Sequence, residues 1–298
     1  MRPTAPTRRA PSRGAARQRT PSRGAVHHRV RALQVLVATL LLAGCTSGPG
    51  GPAASDAPAP GAAPSSAPDA PVHEVSGELT VYAAASLAAA FDEIVAELET
   101  AHPGLVVRPV VYDGSSALAT QVVEGAPVDV FASADEKNMA KATDEGAVAG
   151  APVLFATNTL VLVVPAGNPG GVTGLADLAD PDLRVVLCAV EVPCGSASRA
   201  LLAEAGLTVV PDSAEQNVAA VLTKVVADEA DAGLVYRTDV VGADVESIVP
   251  EGAEDVVNRY PVATLADAAN PEAAEAFVAF VTGPHGQQVL AAHGFGPP

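Results

Sequence analysis

The sequence carries no G-x-S-x-G elbow, no H-E-x-x-H pair, no G-x-x-x-x-G-K-[ST] loop and no G-x-G-x-x-G turn. Those absences remove the signatures of the common serine hydrolases, zinc peptidases, P-loop nucleotide hydrolases and dinucleotide enzymes. Histidine adds nothing catalytic: outside the leader there are only His73, His102, His285 and His293, and none lies beside a candidate nucleophile. No enzyme is expected. Basic residues are scarce beyond position 31. Of 17 Lys and Arg, nine precede Cys45, a region with no acidic residue; the rest of the chain therefore holds eight basic residues against 34 acidic ones, a formal charge of −26. Nucleic acid and anionic membrane surfaces are poor partners for such a chain. The apolar run ALQVLVATLLLAG, about a dozen residues, is too short for a permanent membrane helix.

That run follows a long Arg-, Pro- and Ser-rich leader, and a basic region before a short apolar stretch is an export signal. Its end, Leu42-Ala43-Gly44-Cys45, resembles a lipobox, the site at which bacterial lipoproteins are cleaved and a diacylglycerol is attached to Cys. Residues 1–45 thus read as a lipoprotein signal with a basic leader, and Cys45 as the lipidation site on the outer face of the cytoplasmic membrane. Residues 46–76 are almost purely Gly, Pro, Ala, Ser and Asp. Too little apolar surface is available there to fold, so a flexible tether is expected.

From residue 77 the pattern alternates between strand and helix. ELTVYAA (78–84) is a strand; Phe91, Ile94, Val95 and Leu98 then recur at helical spacing until His102-Pro103-Gly104. LVVRPVVY (105–112) and PVDVFASA (127–134) read as strands flanking a helix at 115–125, and Asp135 caps the next helix. The continuous apolar runs NTLVLVVP (158–165), LRVVLCAV (183–190) and AGLVY (232–236) suit strands buried on both faces. A helix with Val218, Leu222, Val225 and Val226 inward lies between the last two, and YPVATL (260–265) precedes helices near 271–282 and 284–293. The fold class is α/β, with mostly parallel sheets flanked by helices.

In such sheets ligands gather where strand carboxyl ends meet helix N-termini. Four junctions share one chemistry: Ser86 after the first strand, Asp113-Gly114-Ser115 after the second, Pro193-Cys194-Gly195 after 183–190, and Asn217-Val218 at a helix start; Tyr236 ends the strand 232–236. Helix N-termini offer unpaired N–H groups and the positive end of the dipole, so a converging set binds an anion without Lys or Arg. Taken singly, Ser86 and Ser115 read as helix caps and Tyr236 as a packed aromatic.

The blocks AAASL, GSSALATQVVEGAPVDVFASAD, NTLVLVVP, VPCGSASRALLAEAGL, QNVAAVL, GLVYRTD and YPVATL resemble, in order and spacing, the molybdate-binding proteins of molybdate ABC transporters over essentially all of 77–298. The resemblance implies a type II periplasmic-binding fold with one lobe from 77–157 plus 262–298 and a second from 158–261. It implies an oxyanion cleft formed by Ser86 and Ser115 on one side and by the N–H of Cys194, the N–H of Val218 and the hydroxyl of Tyr236 on the other. The family has Ala where Cys194 stands; a backbone contact tolerates that change. The molybdenum would be bound as its oxyanion, with no direct metal ligand and no cofactor. Molybdate or tungstate would be passed to an ABC permease and its ATPase by a monomeric, lipid-anchored receptor. A receptor for sulfate or phosphate, or a non-transport sensor lipoprotein, are the alternatives. With Cys45 lipidated, Cys188 and Cys194 remain; a disulfide, two buried thiols or a soft-metal site short of ligands are the readings left.

Overall fold

A computed structural model describes residues 74–298. The leader, Cys45 and the tether up to residue 73 lie outside the described residues. The tether was expected to run to residue 76, but Val75 is buried and Ser76 already pairs with Gly104, so the folded chain starts earlier.

In chain order the first part holds β1 (Ser76–Leu79), β2 (Val81–Ala84), a 3-10 turn (Ala85–Leu87), α1 (Ala88–Ala101), β3 (Gly104–Val107), β4 (Val111–Asp113), α2 (Ser115–Val123), β5 (Val130–Ala132), α3 (Glu136–Asp144) and β6 (Val153–Asn158). The second part holds β7 (Leu160–Pro165), β8 (Val185–Cys188), α4 (Pro193–Glu204), β9 (Ser213–Glu215), α5 (Val218–Val226), β10 (Ala232–Tyr236) and β11 (Val245–Ile248). β12 (Asn258–Thr264), α6 (Pro271–Thr282) and α7 (Pro284–Ala292) return to the first part.

Two runs that look like single strands are each divided. Thr80 separates β1 from β2, its N–H donating to Asp129 Oδ2 at 2.7 Å and its carbonyl accepting from Asp129 N. Between β3 and β4 stands Pro109, which has no N–H to give a ladder. β1 and β3 therefore pair with each other, while β2 and β4 join a five-stranded sheet ordered β4-β2-β5-β12-β6. The second sheet is ordered β11-β7-β10-β8-β9. These two sheets with their helices form the two lobes.

Each sheet is mixed rather than mostly parallel. β2 runs parallel to β4 and β5, and β8 to β9 and β10; β12 and β7 are antiparallel to both of their neighbours. The reason is topological. Strands built by βα repetition end at the cleft, whereas β7 and β12 are the strands by which the chain enters a lobe from the other one. They begin at the cleft and run away from it.

The cores follow the periodicities. α1 buries Phe91, Ile94 and Leu98, with Val95 half-buried at the edge of the stripe. α5 buries Val218, Val221 and Val225; Leu222 is only partly covered and Val226 is exposed, because the helix starts at Val218 and its buried stripe is set by contact with β10 and β8. β7, β8 and β10 are buried at every position.

Candidate functional site

Ser86, Ser115, Cys194, Val218 and Tyr236 all line one cleft between the two sheets, together with Ala84, Ala85, Asp113, Gly114, Ala134, Val192, Pro193 and Asn217. No Lys or Arg is among them. The free space is about 10 Å³, roughly one water-sized sphere, so the two lobes are shut over the site.

Three of the four helices that point into the cleft have no side-chain cap. Leu87 precedes α1, Gly114 precedes α2 and Val192 precedes α4, and none has a side chain that accepts from the helix it introduces. Only α5 is capped, by Asn217 Oδ1 accepting from Ala220 N at 2.9 Å. Among the described residues, the backbone N–H groups of Ser86, Ser115, Cys194 and Val218 find no acceptor. Small neighbours make this possible: Ala84, Ala85 and Gly114 leave the backbone accessible where a larger side chain would fill the cleft.

The two serines do not cap helices, contrary to their reading as single residues. Ser86 lies inside the 3-10 turn, and its Oγ is 2.9 Å from Tyr260 Oη. Ser115 is the first residue of α2, and its Oγ accepts from Ala134 N at 2.9 Å. With that oxygen engaged, the Ser115 hydroxyl is left as a donor toward the cleft. A buried hydroxyl seeks both roles, and the donor role is the one still without a partner.

Tyr236 supplies the most pointed observation. The residue is 1% exposed, and its hydroxyl makes no hydrogen bond of normal geometry among the described residues, although the Tyr260 hydroxyl is near enough to affect it. An unpaired buried hydroxyl costs about 1–3 kcal/mol, so such groups are rare unless something completes them. Burial pushes the Tyr236 and Tyr260 phenols well above the ordinary tyrosine value, so both are neutral and able to donate. Behind them, burial raises the Asp239 carboxyl to about 7, although the hydrogen bond from Tyr236 N pulls the other way.

Contacts across the cleft close it. Asn217 Nδ2 donates to Asp113 Oδ1 at 2.9 Å, joining α5 of one lobe to β4 of the other. Gly114 lies so near the opposite lobe that an added Cβ would stand 2.0 Å from Gln216 O. On the second lobe, Cys188 and Cys194 are bonded, with Cα atoms 5.7 Å apart, tying the end of β8 to the first turn of α4. Among the described residues no cluster of His, Cys, Asp and Glu could hold a metal ion.

Asp113, Asn217 and Tyr260 were not singled out as functional from the sequence. Asp113-Gly114 and Asn217 sat at recognised junctions, yet nothing local shows that they meet across 104 positions. Tyr260 gave no signal beyond its place in a strand-like run.

A family model described as bacterial extracellular solute-binding protein matches residues 79–296. The molybdate-binding protein ModA of Mycobacterium tuberculosis is 43% identical over 237 residues, which span 79% of this chain and 90% of the relative. The molybdate-binding protein ModA of Escherichia coli is 32% identical over 232 residues, spanning 74% and 89%. Among solved structures, the periplasmic molybdate-binding protein of Azotobacter vinelandii has a TM-score of 0.64 at 22% identity, covering 74% of this chain and 99% of that one.

Proposed function

The chain belongs to the bacterial extracellular solute-binding protein family, as an exported binding protein and not an enzyme, and from that premise we propose that it captures molybdate and delivers it to an ABC permease with its ATPase. Tungstate, the same tetrahedral dianion in shape and charge, is the second ligand. Ser86, Ser115, Cys194, Val218 and Tyr236 hold the anion by donation alone, and lipid at Cys45 keeps the receptor at the outer face of the cytoplasmic membrane. The observation that carries this reading is the Tyr236 hydroxyl, buried without a hydrogen bond in a cleft that also presents unpaired N–H and serine O–H, while Asp113 and Asn217 at its edge are bonded to each other.

A donor-only site suits an oxyanion that has lost every proton. Hydrogen phosphate brings a proton that none of these five groups is placed to accept, a penalty of about 1–3 kcal/mol, and the Asp113 carboxylate is already engaged by Gly114 N and Asn217 Nδ2. Sulfate is also proton-free, so size separates it from molybdate. The acidic exterior does not oppose binding strongly, since its field is screened over about 8 Å while the local dipoles act at contact. Because the shut cleft has room only for a water-sized sphere, the lobes part to admit the ion and settle around it by hinge motion.

Calorimetry and thermal shift with molybdate, tungstate, sulfate and phosphate test the reading. Molybdate at 1,000 times its dissociation constant should add about 4 kcal/mol of stability. Tyr236→Phe should weaken molybdate roughly tenfold to a hundredfold, the worth of one hydrogen bond to a charged group, while leaving the unliganded melting point in place or higher. An equal response to sulfate, or none to molybdate, would overturn the assignment.

The disulfide gives an independent check. It closes a short loop, its cysteines being six positions apart, and a loop of that size contributes about 2 kcal/mol. Reduction of a Cys45→Ser variant should lower the melting temperature by about 5 °C. Molybdate affinity should fall with it, because Cys194 N loses its fixed position. Two free thiols in denaturant before any reductant would refute the bond.

A further inference from the structure

Tyr260 stands between the core and the cleft. Its ring packs edge-on against Phe155, Phe295 and Tyr236, with centroids 6.3, 5.5 and 6.0 Å away. The side chain is fully buried, so its hydroxyl proton must go to a protein acceptor. Asn158, the last residue of β6, approaches it with Nδ2 at 3.4 Å. The amide's orientation is fixed from two sides: Asn158 Oδ1 accepts from Thr159 N at 3.0 Å, and Nδ2 donates to Thr238 Oγ1 at 2.8 Å. Asn158 can therefore only donate to Tyr260. Tyr236 Oη, the other hydroxyl close by, makes no hydrogen bond of normal geometry, so the phenol's own proton goes to Ser86 Oγ, 2.9 Å away.

From this chain of donors we propose that Tyr260, oriented by Asn158, is a specificity-determining positioning residue: by donating to Ser86 Oγ it turns the Ser86 proton into the cleft, so that Ser86 meets the ligand as a donor. The inference rests on the oxyanion reading of the site and deepens it. Ser115 reaches the same state through the N–H of Ala134, a backbone group that substitution does not easily remove. Ser86 reaches it through a side chain, so the exclusion of protonated anions can be altered at Tyr260 without touching a residue that lines the cleft. The relay also begins at the crossing between lobes, since Asn158 stands two positions before β7 and Thr238 two beyond β10.

The test is Tyr260→Phe, which keeps the ring contacts and removes the relay. Wild type is expected to answer molybdate and to ignore phosphate at mildly alkaline pH, where phosphate carries two charges and one proton. In the variant the Ser86 hydroxyl is free to turn and offer a lone pair to that proton. Phosphate affinity should rise at least about tenfold relative to sulfate, the scale of pairing one otherwise unpaired group. Sulfate itself should gain nothing, and molybdate should weaken. A variant that had merely loosened would lose affinity for all the anions together. In the double variant Ser86→Ala, Tyr260→Phe the phosphate gain should vanish, because the two residues act as one unit. No gain for phosphate over sulfate, or a gain that survives loss of the Ser86 hydroxyl, overturns the proposal. Failure of wild type to bind molybdate would instead overturn the functional reading beneath it.

Discussion

Gly114→Ala is expected to cost at least about a hundredfold in molybdate affinity while leaving each lobe folded. Gly114 has φ −63° and ψ 133°, a conformation alanine adopts without strain. The effect is therefore one of space alone. The new Cβ would meet Gln216 O at 2.0 Å and Val192 Cγ1 at 3.1 Å, and both belong to the opposite lobe. Carbon does not approach backbone oxygen closer than 3.0 Å, so the lobes must stand about 1 Å further apart at this contact. That movement stretches the 2.9 Å bond between Asp113 and Asn217. It also separates Ser86 and Ser115 on one wall from Cys194, Val218 and Tyr236 on the other. Hydrogen bonds to a charged group are worth about 1.5–3 kcal/mol each, and two lengthened beyond reach give the expected loss. The melting point without ligand should stay within a degree or two, because the substitution touches no core. The shift produced by molybdate should collapse. Affinity within about threefold of wild type would mean that the liganded cleft leaves room for the added methyl, and that Gly114 does not set the distance between the lobes in the bound state.

What the sequence made legible was local. The spans Ala232–Tyr236 and Pro271–Thr282 coincide with the runs read from apolar pattern and helix signals, and Asp135 caps α3 by accepting from Asn138 N. All five cleft residues taken from the resemblance converge on one pocket. The losses have a common cause, which is that the deciding contact is distant along the chain. Ser86 looks like a cap because caps are local; its real partner is Tyr260, 174 positions away. β6, β9 and β11 are short or half-exposed strands whose identity comes from a neighbour's ladder, and pattern in their own residues is weak. The reversed direction of β7 and β12 is a property of the path between lobes and leaves no mark on either strand. Val221 rather than Val226 faces the core for a similar reason: the start of α5 is fixed by Asn217, and the stripe is counted from there.

Gly195→Ala should reverse the usual sign of a glycine replacement in a helix. In an exposed helix interior alanine is favoured over glycine by roughly 0.5–1 kcal/mol. Here the added Cβ would stand 1.8 Å from Ala189 O, 2.5 Å from Ala189 C and 2.7 Å from Cys188 O. All three are backbone atoms of the same lobe, so no hinge motion relieves them, in contrast to Gly114. They are also held in place. Ala189 N donates to Glu215 O at 2.8 Å, Ala189 O accepts from Val192 N at 3.1 Å, and Cys188 is bonded to Cys194. Either α4 lifts from the end of β8 or the loop between the two cysteines is forced open. Overpacking of this kind costs about 1–3 kcal/mol or somewhat more, which outweighs the helix gain. The expected outcome is a melting temperature lowered by about 5–10 °C without any ligand, together with weakened molybdate binding through displacement of Cys194 N. The pair of glycines thus separates two requirements of one cleft. Gly114 governs how closely the lobes meet and should register only when the anion is present; Gly195 governs the shape of a wall and should register in both states. An unliganded melting point for Gly195→Ala at or above that of wild type would show that the loop yields easily, and that its backbone geometry is not what holds the anion-facing N–H of Cys194.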